Sequence, residues 1–358
     1  MERLGLVGLP NSGKTSLFNA LTGAQGPVAP HPFTTTDTAV AVAPLPDARL
    51  DALATMSASR KVVRASMEVV DIAGLVPGSS TGEGLGNRFL AGIREVDAVC
   101  VVLRAFQDPS APGEDDPVSA LGSLELELVL ADLATVEAQI DKRRKAARAD
   151  KSLLGEVAAM EAAYESLSAG VPLYRAPDDP DRRAARRGLF LLTDKPVLAV
   201  VNLGEDQLEK ADAAVEAVSA ALEGHGEVLG ACVQLEAEAA RLAPEERAEL
   251  LEGLGLGKGA LARVAQRAYA LLGRRVFFTT GDKESRAWSF RAGSNAAECA
   301  GVIHSDLQRG FIRAEVIDWE ELVAIGSWAR AKSSGRIRLE GKDYVVADGD
   351  VLEIRFNV

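Results

Sequence analysis

The sequence predicts an α/β protein with a parallel, doubly wound sheet, a helical insertion and a smaller α+β domain in its C-terminal region. A glycine-rich loop, Gly8 to Thr15, follows an apolar run and precedes a helical pattern. Short apolar strands then alternate with helical segments. Residues 121–189 break that alternation with apolar positions at helical spacing, and short strands and turns predominate from about Arg275.

The composition is that of a globular protein with more than one domain. A chain of 358 residues, 47% of them hydrophobic and 26% charged, has ordinary globular content but exceeds one typical core. No apolar stretch is long enough to cross a bilayer. The first apolar run, Leu4 to Val7, is too short for the core of a signal peptide. We therefore expect a soluble cytoplasmic protein without a membrane partner.

The net charge limits the expected binding partners, and the cysteine content indicates the cellular compartment. A formal charge of -12 argues against binding of nucleic acid or anionic lipid over the whole surface, so DNA is not an expected partner. A local basic patch remains compatible with that charge. Cys100, Cys232 and Cys299 are odd in number and have neither metal nor disulfide spacing, which is typical of a reducing compartment.

The loop from Gly8 to Thr15 has the GxxxxGK[ST] pattern of a phosphate-binding loop. Its glycines allow main-chain N–H groups to converge on phosphate oxygens at a helix N-terminus, where the helix dipole favours negative charge. Lys14 is expected to reach the β- and γ-phosphates and to act in catalysis, and Thr15 Oγ1 to bind Mg²⁺. The predicted nucleotide contacts in this loop are consecutive: Asn11, Ser12, Gly13, Lys14, Thr15 and Ser16.

A second motif, Asp71 to Gly74, has the DxxG pattern and follows the β-like run Ser66 to Val70. In nucleotide hydrolases of this type, a carboxylate at a neighbouring strand end holds Mg²⁺ through water, and the glycine N–H approaches the γ-phosphate. DxxG alone occurs often by chance, but its place at a strand end after the phosphate loop makes the pair specific. Asp71 is therefore a predicted metal ligand, and Gly74 is a predicted catalytic residue.

A loop rich in Pro, Gly and Thr, Gln25 to Asp37, lies between the two motifs. One threonine hydroxyl of this loop, which we assign to Thr35, would bind Mg²⁺ only when the γ-phosphate is present. That contact would couple the order of the loop to the nucleotide state. The alternative is a solvated polar loop without a ligand role.

The strand Val197 to Val201 leads into Asn202-Leu203-Gly204-Glu205, where a base-recognition loop would lie. GTP-specific proteins usually carry Asn-Lys-x-Asp there, with the aspartate accepting hydrogen bonds from guanine N1 and N2. Here leucine replaces lysine and the longer Glu205 replaces aspartate, which weakens guanine selectivity because a lost buried hydrogen bond is costly. Adenine fits if Leu203 packs on the ring or reads N1 and the 6-amino group through its backbone. Gln234 and Leu235 complete the predicted base contacts.

Residues 121–189 are predicted to form an antiparallel helical hairpin inserted between strands of the sheet. Leu121, Leu124 and Leu128 begin one apolar stripe, and a second stripe runs from Leu153 to Leu167. Basic residues stand out in this acidic chain: Lys142, Arg143, Arg144, Lys145, Arg148, Arg182, Arg183, Arg186 and Arg187. They predict either a solvated helical face or a contact to phosphates of RNA.

The predicted boundaries follow from these patterns. The first part of the nucleotide-binding domain spans 1–120, and the hairpin spans 121–189. The second part, with base recognition, spans 190–275, and a small α+β domain spans 276–358. In this last region, turns at glycines separate short strands rich in apolar and aromatic residues.

The motifs together resemble the YchF family, the Obg-like ATPases of the translation-factor class of P-loop GTPases. The resemblance rests on Gly8 to Leu21, Asp71 to Val76 and Gly82 to Asn87, and it continues in order to Phe356-Asn357-Val358. It implies a P-loop NTPase fold (a G domain) with an inserted α-helical hairpin and a C-terminal TGS domain of β-grasp fold. It also implies Mg²⁺-dependent hydrolysis of ATP, often in preference to GTP, and association with the ribosome.

Two positions in the sequence bear on how the water that attacks the γ-phosphate is oriented. Leu75 stands where many GTPases place a water-orienting glutamine; this is a family trait, and leucine cannot orient water by hydrogen bonding. The family commonly has a histidine in the loop after the strand Ala98 to Leu103, but the histidines of this chain are His31, His225 and His304. We therefore expect slow intrinsic hydrolysis that a partner accelerates.

Three alternatives to an ATP hydrolase stay open in the sequence. They are a nucleotide-gated ribosome-binding module with negligible turnover, a strictly GTP-specific GTPase, and a small-molecule kinase, which the DxxG motif disfavours. Asn11 adds a possible cofactor, because some related GTPases use asparagine at this loop position to hold K⁺ in place of an arginine finger. The other interpretation of Asn11 is that it shapes the turn.

Overall fold

The computed structural model describes residues 2–23, 38–75, 85–108, 113–177, 179–254, 256–257 and 259–357. The predicted metal ligand Thr35 and the histidine His31 lie outside the described residues. The chain forms two compact units. The first unit comprises Met1–Ala43 and Glu68–Leu272, and the second unit comprises Pro44–Met67 and Gly273–Val358.

The first unit is built on a six-stranded sheet. Its strands are β1 (Arg3–Val7), β2 (Ala39–Pro44), β4 (Ser66–Asp71), β5 (Ala98–Arg104), β6 (Val197–Asn202) and β7 (Glu227–Ala231). The order across the sheet is β2-β4-β1-β5-β6-β7. β1 pairs in parallel with β4 and β5, and β6 pairs in parallel with β5 and β7. Every residue of β5 and β6 is buried, as expected for central parallel strands whose two faces are covered.

Helices alternate with these strands along the chain. They are α1 (Lys14–Thr22), α3 (Leu85–Arg94), α4 (Pro117–Ala149), α5 (Leu154–Ser168), α6 (Pro180–Arg186), α7 (Ala211–Ala221), α8 (Val233–Ala239), α9 (Pro244–Gly253) and α10 (Leu261–Leu271). Apolar residues of sheet and helices share one core, in which Val101 and Val201 of the strands lie with Phe89 of α3 and Leu222 after α7. The predicted α/β fold with a parallel sheet is confirmed.

The helices α4 and α5 pair as a hairpin. Asp116 caps α4 by accepting a hydrogen bond from Ser119 N at 3.0 Å, and Asp150 caps the following turn by accepting one from Ser152 N at 3.0 Å. The two helices share a buried core that includes Val129, Val136, Ile140, Met160, Ala163 and Leu167. Although α4 has 33 residues, none of the described helices is both long and apolar enough to cross a membrane.

A buried carboxylate ties α4 to the segment that precedes β6. Asp132 is fully buried and accepts hydrogen bonds from Leu192 N at 2.9 Å, Thr193 N at 2.7 Å and Thr193 Oγ1 at 2.7 Å. Burial raises the pKa of Asp132, and these hydrogen bonds oppose the rise. Arg186 pairs in bidentate fashion with Asp194 in the same segment. The hairpin is therefore anchored beside a central strand of the sheet.

The second unit contains another six-stranded sheet. Its strands are β3 (Val62–Val63), β8 (Arg274–Thr279), β9 (Ser285–Arg291), β10 (Phe311–Asp318), β11 (Arg338–Glu340) and β12 (Asp350–Phe356). The order is β11-β10-β12-β8-β9-β3. β8 and β12 are parallel neighbours, and each has an antiparallel partner on its other side, β9 and β10 respectively. Apart from β3, this is the strand order of a β-grasp fold, as the resemblance implied.

Five helices accompany the second sheet: α2 (Ala48–Met56), α11 (Ala296–Ile303), α12 (Ser305–Arg309), α13 (Trp319–Ile325) and α14 (Trp328–Ser333). The core under α11 contains Phe277, Phe290 and Cys299. His304 caps α12, because its Nδ1 accepts a hydrogen bond from Asp306 N at 3.2 Å. That contact agrees with a structural role for this histidine.

Residues 44–67 belong to the second unit, which corrects their predicted place in the first part of the G domain, 1–120. β3 pairs in parallel with β9, and Arg49 on α2 forms ion pairs with Asp47 and Asp348 at 2.8 and 2.7 Å. Ser57 Oγ and Thr280 Oγ1 share a hydrogen bond at 2.8 Å across 223 positions of the chain. Contacts at such separation leave no mark on local sequence patterns.

Candidate functional site

The phosphate loop joins β1 to α1 and packs against two other strands. A Cβ atom at Gly8 would lie 2.4 Å from Val102 O on β5, and one at Gly13 would lie 2.2 Å from Asn202 Nδ2 on β6. Gly13 also has φ 96°, a left-handed conformation that suits glycine. α1 begins at the next residue, Lys14, so the free N–H groups of the helix N-terminus border the loop. The two glycines therefore allow the close packing that a phosphate cradle needs.

Lys14 is held inside this loop. Its side chain is 7% exposed, and Nζ donates a hydrogen bond to Leu9 O at 2.9 Å. Burial lowers the pKa of Lys14 to about 8, and the nearby carboxylate of Asp71 opposes that shift. A buried ammonium group with few compensating charges gains strongly from an added phosphate, so Lys14 is suited to bind one.

The predicted metal ligands Thr15 and Asp71 meet beside Lys14. Thr15 Oγ1 donates a hydrogen bond to Asp71 Oδ2 at 2.7 Å. Burial raises the pKa of Asp71, whereas the Thr15 hydrogen bond and the charge of Lys14 lower it. Among the described residues, the buried atoms Asp71 Oδ1 and Ser12 Oγ have no hydrogen-bond partner. Hydroxyl and carboxylate oxygens are hard ligands, so this donor set fits Mg²⁺.

The DxxG motif continues from Asp71 to the edge of the phosphate loop. A Cβ atom at Gly74 would lie 3.2 Å from Lys14 Nζ and 3.3 Å from Pro10 N. Leu75 N donates a hydrogen bond to Gly8 O at 3.2 Å, and the Leu75 side chain is 1% exposed. The structure thus brings Gly74 beside Lys14 and places the side chain of Leu75 in the core.

Asn202 connects the phosphate loop to the predicted base-recognition region. It is 5% exposed; Nδ2 donates to Ser12 O at 3.0 Å, and Oδ1 accepts from Val233 N of α8 at 3.2 Å. Both ends of the amide are therefore used within the protein. Asn202 orients the site by tying β6 to the phosphate loop and to α8.

The side chain of Leu203 lies in the core of the first unit and is 3% exposed. A Cβ atom at Gly230 would lie 3.3 Å from Leu203 Cδ1, and Leu203 N donates to Ala231 O at 2.9 Å. This arrangement does not support packing of the Leu203 side chain on a base. Packing on the ring does not fit this position, and the Leu203 N–H, which is bonded to Ala231 O, is not free to read adenine N1; of the backbone role, only the carbonyl remains for the 6-amino group.

Glu205 and Gln234 are exposed, whereas Leu235 is buried. Glu205 begins a 3-10 turn, Glu205–Lys210, and Gln234 Nε2 contacts Glu238 Oε1 at 3.4 Å. Cys232, which directly precedes α8, is buried, and burial raises the pKa of its thiol.

Three residues near the site were not identified from the sequence. Arg104, 3% exposed at the end of β5, donates from Nε to Phe106 O at 2.9 Å and stacks on the Phe106 ring at 4.5 Å. Gln207 Nε2 donates to Ala105 O at 2.7 Å. The sequence pointed to this region through the loop after the strand Ala98 to Leu103, where the family commonly has a histidine, but no local pattern marked Arg104, Phe106 or Gln207.

Two families of known proteins match parts of this sequence. Residues 3–153 match a family described as 50S ribosome-binding GTPase. Residues 275–357 match the YchF-GTPase_C family, described as a protein of unknown function. The two matches together span the phosphate loop, the DxxG motif and the β-grasp region.

Individual relatives match over the full length of the chain. The ribosome-binding ATPase YchF of Bacillus subtilis is 43% identical over 361 residues, and that of Haemophilus influenzae is 41% identical over 360 residues; each alignment covers 99% of both chains. The structure of the YchF GTPase of Schizosaccharomyces pombe is 31% identical, with a TM-score of 0.85 over 99% of this chain and 97% of that chain. The chain therefore belongs to the YchF family of P-loop nucleoside triphosphatases.

Proposed function

We propose that this protein binds ATP with Mg²⁺ and hydrolyses it slowly, with the ribosome as its partner. The observation that carries the proposal is the convergence of Lys14, Thr15, Asp71 and Gly74 beside one glycine-rich loop. Relatives that match over the full length are named ribosome-binding ATPases. The ribosomal partner rests on those names. The adenine preference rests on those names and on the departure of residues 202–205 from the usual guanine motif.

Each residue has a distinct role in this proposal. Lys14 holds the β- and γ-phosphates and stabilises charge on the transferred group, and the N–H of Gly74 contacts the γ-phosphate. Thr15 and Asp71 hold Mg²⁺, which when bound neutralises charge between the phosphates. The apolar side chain of Leu75 offers no hydrogen bond to water. Slow turnover follows, because no described side chain at this position orients the nucleophile.

Multiple-turnover release of phosphate from MgATP, with and without ribosomes, tests the reaction. We expect low turnover by the protein alone and faster turnover with ribosomes. Nucleotide-dependent ribosome binding without phosphate release in either mixture would instead support the nucleotide-gated module. A phosphorylated product in place of free phosphate would indicate a kinase.

Calorimetric titration with ADP and GDP side by side tests the base preference. We expect tighter binding of ADP, because Glu205 replaces the shorter carboxylate of the usual guanine motif. Tighter binding of GDP would support the strictly GTP-specific alternative. The single variant Glu205→Asp, at an exposed position, is expected to raise GDP affinity relative to ADP without loss of stability.

We also propose K⁺ as an activating ion at Asn11. This residue has φ 60°, a left-handed conformation that asparagine tolerates better than most residues, so it also shapes the turn. If Asn11 holds K⁺ beside the phosphates, ATP turnover will be severalfold higher in KCl than in NaCl at equal ionic strength. Equal rates in the two salts would leave Asn11 with the turn-shaping role alone.

The basic residues of α4 fall into two groups. Arg143 pairs with Glu156 at 2.8 Å, and Arg144 pairs with Glu161 at 2.9 Å, so both arginines join α4 to α5. Three other cations of α4 are exposed and have no ion pair among the described residues: Lys142, Lys145 and Arg148. We call these three the free basic patch, and we propose it as the contact to ribosomal RNA.

Reversal of the free basic patch, Lys142→Glu with Lys145→Glu and Arg148→Glu, is expected to weaken co-sedimentation with ribosomes. The slope of log affinity against log salt should fall by about three, close to one unit for each lost phosphate contact. Arg241, Arg247 and Arg263 provide a control, because their reversal changes the net charge equally without touching the hairpin. Equal effects of the two triple variants would show that only overall charge matters.

A further inference from the structure

Gln207 joins two loops that are distant in sequence. It lies in the 3-10 turn after the base-recognition region, and its Oε1 accepts a hydrogen bond from Gly204 N at 2.9 Å. The other end of the same amide, Nε2, donates to Ala105 O at 2.7 Å, across 102 positions of the chain. Gln207 N also donates to Gly204 O at 3.1 Å. The side chain therefore fixes residues 202–205 to the segment that follows β5.

The segment after β5 carries an aromatic side chain to the same place. A Cβ atom at Gly204 would lie 3.4 Å from Phe106 Cβ. Arg104 holds Phe106 from the other side, through a hydrogen bond to its carbonyl at 2.9 Å and stacking on its ring at 4.5 Å. The position of Phe106 beside Gly204 is thus set by Arg104 on one side and, through Ala105, by Gln207 on the other.

This arrangement also approaches the phosphate loop. Arg104 Nη2 donates to Asp108 O at 3.4 Å. A Cβ atom at Gly113 would lie 3.4 Å from both Arg104 Nη1 and Pro10 O. Phe106 therefore lies beside Gly204, and Gly113, further along the chain, lies beside Pro10 of the phosphate loop.

We propose that Gln207 is a positioning residue for nucleobase selection: it holds the base-recognition residues 202–205 and the Phe106 segment in one fixed arrangement. The proposal rests on the proposed function, because it assumes that a nucleobase lies beside residues 202–205. Gln207 needs no contact with the nucleotide in this role. Its effect is confined to the base end of the site, since its two partners are Gly204 and Ala105.

Calorimetric titration of the full chain with MgADP, MgGDP and Mg-pyrophosphate tests the proposal. Gln207→Leu keeps most of the side-chain volume and removes both side-chain hydrogen bonds. We expect ADP affinity to fall between about fivefold and thirtyfold, the range for loss of one or two partly buried hydrogen bonds. The ratio of ADP to GDP affinity should move towards one, while pyrophosphate affinity stays unchanged because pyrophosphate lacks a base.

Two further variants serve as a second test and as a control for this experiment. Gln207→Glu keeps the acceptor for Gly204 N but cannot donate to Ala105 O, so the affinity ratio should move in the same direction even if Gln207→Leu folds poorly. Gln139→Leu, at an exposed position on α4, should leave all three affinities unchanged.

Three outcomes would overturn the proposal. One is a ratio of ADP to GDP affinity that is the same in both Gln207 variants and in the natural chain. Another is an equal loss of pyrophosphate affinity, which would place the effect at the phosphate end. The third is a natural chain that binds ADP and GDP equally. If the natural chain bound pyrophosphate but neither nucleotide, the proposed function itself would fail, and that result is distinguishable from the first three.

Discussion

Replacement of Lys14 by methionine is expected to abolish ATP turnover and at the same time to stabilise the fold. Turnover should fall by at least about 10²-fold, because the charge that holds the transferred phosphate is lost. The free energy of unfolding at pH 7, measured without nucleotide, should rise by about 1–3 kcal/mol. This gain arises because Lys14 is buried and its pKa is lowered to about 8, so the folded state holds an unfavourable charge at neutral pH.

The sign of the pH dependence follows from the two pKa values. The unfolded chain holds the proton of Lys14 up to its ordinary pKa of 10.5, whereas the folded chain loses it above about 8. Between these values the unfolded state binds more protons, so the natural chain gains stability as the pH rises from 8 to 10.5. Below pH 8 the full penalty is present. The variant Lys14→Met should lack this rise.

Urea unfolding at pH 7 and pH 10 measures both effects for the two proteins. Loss of the hydrogen bond from Nζ to Leu9 O and of the positive charge beside Asp71 offsets part of the gain. A variant that is less stable than the natural chain at pH 7, or that retains turnover, would contradict this account of Lys14. Functional sites often hold groups that reduce stability in this way.

The substitution Leu203→Lys is expected to destabilise the fold strongly, so that it does not deliver the guanine preference that the usual motif would bring. The sequence comparison with Asn-Lys-x-Asp suggests that lysine here, together with Glu205→Asp, would shift preference towards guanine. In the structure, Leu203 is 3% exposed and lies in the core with Val218 and Leu222. Loss of its apolar burial and the insertion of an ammonium group should lower the free energy of unfolding by at least about 3 kcal/mol.

Chemical denaturation of three variants separates stability from base preference. Leu126 is 57% exposed on α4, so Leu126→Lys should change stability by no more than about 0.5 kcal/mol. Leu203→Lys should be strongly destabilised, and Glu205→Asp should be stable enough for titration with GDP. If Leu203→Lys were as stable as Leu126→Lys and bound GDP more tightly, its side chain would have to lie at the base and not in the core.

The phosphate end of the site could be predicted from sequence because its residues follow local rules. Gly8 and Gly13 bracket a turn between a strand and a helix, and the order of Lys14 and Thr15 is set by the start of that helix. Asp71 could be placed because the ends of parallel strands meet at one edge of a sheet. These spacings depend on the geometry of a few consecutive residues. The structure brings Thr15 Oγ1 and Asp71 Oδ2 to 2.7 Å, and their role as metal ligands stays a prediction.

The part of the site that would recognise the nucleobase could not be predicted in the same detail. Whether Leu203 faces a ligand or the core depends on its neighbours from β7 and α7, which lie at distant positions in the sequence. The link from Gln207 to Ala105 crosses 102 positions, and no periodicity marks it. Asn202 stays a predicted base contact, and the structure adds hydrogen bonds from its amide to Ser12 O and from Val233 N, which no local pattern predicts. Its role in the structure is to join the loops.

By itself, the sequence determined the phosphate chemistry, the order of the elements and the family resemblance, because glycine turns, strand ends and helical stripes are encoded by neighbouring residues. The tertiary structure alone decided that residues 44–67 pack in the second unit, that Arg143 and Arg144 join α4 to α5, and that Leu203 is buried. These outcomes depend on contacts between distant positions, where packing and charge pairing are settled only after the chain has folded.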